Sequence, residues 1–186
     1  MKAKSVLIVA IAIIALAACK ENKPPTMEHQ FTDDTTAVND TTIYGKLGEN
    51  YGMNTLELIT DKGDTLQFVV EEPADSLDME TVKGGKGVGD RMAVVAQKSE
   101  EGELIVTQAI NLTTLLGKWT ALDKSFELQE GGIVVSNFSE PKPYTEWSIC
   151  NGHLVLSADT FDVYELGADS LKLENAKGIY VYKRQK

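Results

Sequence analysis

The chain has 186 residues, with 28 Asp+Glu against 18 Lys+Arg and a formal net charge of −10. Nucleic acid and anionic lipid surfaces would repel such a chain, so nucleic-acid binding is excluded as a main role. There are only two cysteines, Cys19 closing an apolar leader and Cys150 far downstream, so no internal disulfide framework is expected.

Residues 1–18 read as a signal peptide. Lys2 and Lys4 form its positive end, and Val6 to Ala18 is an unbroken apolar run, shorter than the roughly 20 residues that span a hydrocarbon core. The run ends in Leu16-Ala17-Ala18-Cys19, which resembles the lipobox of bacterial lipoproteins. That resemblance implies cleavage before Cys19 and diacylglycerol on its thiol, a membrane anchor made of several acyl chains. The alternative is an ordinary secretion signal with a chance cysteine. Lys20 follows Cys19, so the usual Asp signal for inner-membrane retention is missing. The resemblance then implies the outer membrane, with either face open. Once Lys2 and Lys4 are removed, 16 basic residues face 28 acidic ones, a net charge of −12.

Residues 19–41 read as a lipidated, disordered tether. It holds Pro24-Pro25 and then "FTDDTTAVNDTT", a composition with too little apolar surface to offset its ordering entropy. Asp followed by Ser or Thr recurs along the chain, as at Asp34-Thr35 and Asp40-Thr41. The pattern resembles the O-glycosylation signal of some Gram-negative anaerobes, which implies Thr35 and Thr41 as glycan acceptors.

Residues 42–112 read as a small β domain. "TTIYGKL", "NTLELIT", "TLQFVV", "DRMAVVAQ" and "ELIVTQAI" are strand patterns, and the turn "DKGD" makes a hairpin of the second and third. Residues 71–89 break the pattern with acids and glycines. Five strands with a long third connection fit a partly open OB-like barrel. "KGGKGVGD" lacks the Gly-Lys-Ser/Thr ending of a phosphate loop and reads as a flexible turn. "NLTTLLG" then suggests one helical turn, capped by Asn111 or Thr113.

Residues 113–186 read as a strict meander of eight strands, from "KWTA" to "GIYVYKR", joined by short turns. Its opening Gly117-x-Trp119, "EWSICNGHLVL" and "VYELGADSLKLE" resemble the small lipocalin-like domains of secreted and lipid-anchored bacterial proteins. The resemblance implies that Trp119 plugs the closed end of a barrel, with Arg184 stacked on its face. A single barrel of about ten strands over 42–186 is the competing picture, with Trp119 in mid-barrel. The pairing of OB-like and lipocalin-like halves is similar to that in the envelope-stress lipoprotein family NlpE, in the opposite order. That family's metal-linked Cys-x-x-Cys is absent, so no metal role carries over.

No catalytic, metal-binding or cofactor-binding constellation stands out. His29 lies in the tether and His153 after the Asn151-Gly152 turn, so neither has a sequence partner for nucleophilic chemistry. Cys150 reads as a small packed thiol. Trp147, Tyr144, Tyr164 and Tyr180 are the expected ligand contacts, at a shallow groove because eight short strands enclose little space. The expected function is non-enzymatic binding or sensing at the cell envelope, of a small apolar ligand or an envelope protein. A structural or assembly role through the β surfaces is the alternative.

Overall fold

The computed structural model describes residues 39–71, 80–136 and 142–185. The signal peptide, Cys19, Thr35 and the tether up to residue 38 lie outside the described residues. Among the described residues no helix is long and apolar enough to cross a membrane.

The fold is all-β, built as two barrels in one chain. The first uses β1 (Ile43–Leu47), β2 (Thr55–Thr60), β3 (Thr65–Val69), β4 (Val82–Lys83), β5 (Arg91–Lys98) and β6 (Leu104–Asn111). β1 pairs antiparallel with both β2 and β5, and β5 with β6. β2 pairs with β3 across the Asp61–Asp64 turn, where Gly63 takes φ +92°. A parallel pairing of β3 with β6 closes the ring of five, the OB-like order expected from the strand pattern. β4, only two residues long, was not legible in the sequence and joins the far end of β6 in parallel.

Alternation along β5 and β6 serves two cores at once. Met92, Val94 and Ala109 point into the first barrel with Leu47, Leu56, Leu58 and Phe68. Ala93 and Ile110, on the opposite face of the same strands, belong to the core of the second barrel.

A single helical turn, α1 (Leu112–Leu115), joins the barrels. Asn111 is its cap: the side-chain oxygen accepts from the Thr114 N–H at 3.0 Å. The second barrel follows as β7 (Gly117–Thr120), β8 (Ser125–Gln129), β9 (Ile133–Ser136), β10 (Trp147–Cys150), β11 (His153–Leu156), β12 (Asp159–Leu166), β13 (Ser170–Asn175) and β14 (Gly178–Arg184). Sequential strands pair antiparallel from β10 to β14, and β14 returns to β7, then β8 and β9. Among the described residues, β9 and β10 are joined by the Ile133–Glu146 bridge and a Val134 N–H to Thr145 carbonyl bond. The barrel is therefore nearly, not wholly, closed.

Among the described residues no strand of one barrel pairs with a strand of the other, so the single ten-strand barrel is not the fold. The two barrels are nonetheless joined by packing and hydrogen bonds. Leu112 and Leu115 are buried in the second core beside Ala93 and Ile110. The Tyr44 hydroxyl donates to the Ile149 carbonyl at 2.7 Å, and Lys83 Nζ to the Tyr164 carbonyl at 3.0 Å. The reason is geometric: the outer face of β5–β6 carries apolar side chains that the first barrel cannot cover itself.

Candidate functional site

In an up-and-down barrel alternate turns share an end. The end holding Gly117, the Asn151-Gly152 turn and the 167–169 turn faces the first barrel. There, a Cβ added at Gly152 would lie 2.7 Å from Gln108 Oε1, and one added at Gly84 would lie 2.8 Å from Leu166 Cδ2.

This is the plugged end. Trp119 is fully buried, and its indole N–H donates to the Leu115 carbonyl at 2.8 Å. The Arg184 guanidinium lies 4.2 Å from the ring centroid, close enough for cation–π attraction. Arg184 also donates to the carbonyls of Thr114, Leu116 and Ala168. Gly117 takes φ +124°, and a Cβ there would sit 2.5 Å from Arg184 Nη1. Gly-x-Trp thus works as one device: the missing side chain admits the guanidinium that covers the tryptophan.

Residues 83–90, expected as a flexible turn, are pinned into the same region. The Asn111 amide donates to the Gly85 carbonyl and to Asp90, and the Thr114 hydroxyl to the Gly84 carbonyl. Lys83 is only 3% exposed. Burial holds its ammonium below the usual lysine range, against the pull of Glu80 and Glu165.

The opposite end is aromatic. Tyr144 packs edge-to-face on Phe126 at 5.7 Å and on Phe161 at 6.4 Å. Phe161 packs on Tyr180 at 5.7 Å, and Phe126 on Tyr182 at 5.0 Å. Lys124 Nζ stands 3.5 Å from the Tyr144 ring centroid. Ser136, opposite Phe126 in register, has a buried hydroxyl with no hydrogen-bond partner.

Of the four expected ligand contacts, the structure joins Tyr144 and Tyr180, through Phe161. Trp147 is buried in the same core, but its indole N–H is spent on the Gln129 carbonyl at 2.8 Å, bracing the incomplete β9–β10 seam. Tyr164 does not belong with them. It lies at the register shift between Val163 and Glu165 and is 39% exposed on the outside. A bulge sets aside one residue and breaks simple alternation there. Phe126 and Phe161 were missed, although alternation along "SFELQ" and "FDVYEL" carries the signal for both.

One open hollow of about 270 Å³ is lined by Lys118, Ser125, Phe126, Glu127, Val135, Ser136 and Gln185, so it shares Phe126 and Ser136 with the aromatic end. Thr41 is exposed, but it is not part of a free tether: its hydroxyl donates to Asn151 Oδ1 at 2.8 Å. His153 pairs with Asp162 at 2.7 Å on the surface. The Cys150 thiol is pushed up by burial and by the Asp40 charge, which argues against a reactive thiolate. Among the described residues no group of three or more His, Cys, Asp or Glu could hold a metal ion. The chain matches no protein-family model, no curated protein and no solved structure.

Proposed function

We propose that the protein is a non-enzymatic, lipid-anchored binding or sensing protein of the outer membrane, held through Cys19, whose second barrel takes a small apolar ligand at its aromatic end. The observation that carries the ligand reading is the asymmetry of that barrel. One end is sealed by Trp119, Arg184 and the first barrel; the other gathers Tyr144, Phe161 and Tyr180. Since the rings pack on one another, the ligand lies over them and does not enter deeply.

Native mass spectrometry of the detergent-solubilised full-length protein tests this. A co-purifying small molecule should be present, should be lost in Tyr180→Ala, and should be retained in Tyr164→Ala. Equal loss in both variants, or no bound species, overturns the reading. Palmitate labelling that persists in Cys19→Ala would overturn the anchor.

A second reading, contact with other envelope proteins, draws on the first barrel. Tyr51, Met53 and Val88 are exposed large apolar residues on two loops that Lys86 ties together through the Gly52 and Met53 carbonyls. Such a patch suits a protein partner.

A further inference from the structure

The chain enters the first barrel through a short strap, residues 39–42, that is hydrogen-bonded to Asn151 of the second barrel. The Thr41 N–H and hydroxyl both donate to Asn151 Oδ1, at 2.9 and 2.8 Å. Asn151 Nδ2 donates to the Asn39 carbonyl at 3.3 Å. The Asn151 N–H donates to Asp40 Oδ1 and to Thr42 Oγ1, both at 3.0 Å. Asp40 Oδ1 in turn accepts from the Thr42 N–H and hydroxyl. Asn151 therefore has its backbone donor and both side-chain functions committed to four consecutive residues more than a hundred positions away.

Two features set this contact apart from the rest of the joint. The strap places no side chain in either core: Asn39, Asp40 and Thr41 are exposed and Thr42 is half-buried. Its bonds are polar and near solvent, the kind that open locally at low free energy while a fold stays intact. The residue it holds is also a strained one, since Asn151 takes φ +48° in the turn that ends β10. Beside it, the Cys150 thiol receives the Asn151 amide at 3.9 Å, and one residue further back the Ile149 carbonyl takes the Tyr44 hydroxyl.

We propose that residues 39–42 are a releasable latch: docked on Asn151 they close the end of β10, and undocked they open that end and expose the already half-buried Cys150 further, while both barrels remain folded. The latch does not depend on the anchoring or ligand binding proposed above.

Cys150 is a built-in reporter. In a Cys19→Ser background of the full chain it is the sole thiol, and its rate of alkylation by N-ethylmaleimide can be followed by mass. Two substitutions release the strap by different means. Asn151→Gly deletes the side-chain clamp and keeps a residue at ease with positive φ. Thr42→Val deletes the hydroxyl that accepts from the Asn151 N–H and donates to Asp40, with little change of shape. Neither removes the Asp40 charge, and both leave the cores untouched.

The expected result is a rise in alkylation rate for each: about tenfold in Thr42→Val, which loses the charge-assisted bond from its hydroxyl to Asp40, and a smaller rise in Asn151→Gly, which loses neutral bonds only. The urea midpoint should barely move, and Lys177→Ala, which breaks an exposed pair with Asp159, should leave the rate unchanged. Unchanged rates in both latch variants overturn the proposal. So does a rise that only tracks lost global stability, or a failure of both variants to fold, because either would make the strap an inseparable part of the barrels.

Discussion

At the scale of single residues, Gly117 shows how an absent side chain organises a site. Its φ of +124° is costly for any L residue, and the space a Cβ would need is taken by Arg184 Nη1. Gly117→Ala should therefore cost about 1–3 kcal/mol from backbone strain alone. It should also shift the guanidinium off Trp119, where it sits 4.2 Å from the ring centroid. Urea unfolding monitored by tryptophan fluorescence checks both effects: a lower midpoint and a folded-state spectrum changed from wild type. A midpoint within error of wild type would mean that Arg184 has no structural tie to the glycine.

At the scale of elements, Glu57 explains how a charged residue can lie in a strand between two core leucines. Leu56 and Leu58 face the first core, and Glu57 points the other way, under the β1–β2 connection. Its carboxylate accepts from the Asn50 side chain at 2.8 Å, from the Asn50 N–H at 3.3 Å and from the Gln67 amide. These bonds, those of Asn50 foremost, hold its carboxyl below the usual range. A depressed carboxylate adds stability that is complete above its unfolded value, about 4.3, and disappears as pH falls through the folded value. Stability measured against pH should thus show wild type ahead of Glu57→Gln at neutral pH, with the gap closing below about pH 4. A gap that is constant with pH would show that the carboxylate's charge is not what orders the loop.

At the scale of the whole molecule, two separate sheets share one buried seam. Ala93, Ile110, Leu112 and Leu115 complete the core of the second barrel, and Tyr44 and Lys83 satisfy two of its carbonyls. Unfolding should accordingly be one cooperative event. Far-UV circular dichroism reports on both barrels and fluorescence of Trp119 and Trp147 on the second, and their urea transitions should coincide. A fragment of residues 113–186 should be far less stable than the whole chain. It buries only about 60% of its unfolded surface even when complete, and here it would expose the plugged end as well. Two separated transitions, or a fragment as stable as the parent, would show the barrels to be autonomous.

The sequence by itself determined the all-β class and the strands of the second barrel. Period-two alternation and short turns placed all eight strands of the meander, because these signals are local; the plug of Trp119 by Arg184 came from the resemblance that Gly117-x-Trp119 carries. Asn111 was one of two caps the sequence offered, with Thr113, and the structure chose between them. Only the tertiary structure decided which residues keep company across the chain. Ala93 and Ile110 look like ordinary core positions of the first barrel until the packing shows that their face of the sheet seals the second. Tyr164 looks like a ligand contact until a bulge, invisible to composition, sets it outside. Thr41 looks like the end of a free tether until Asn151, 110 residues away, is found holding it. The physical reason is shared by all three: strand pattern tells that a residue has a buried or exposed side, while the identity of its neighbours depends on loop closures and register shifts that long-range packing alone selects.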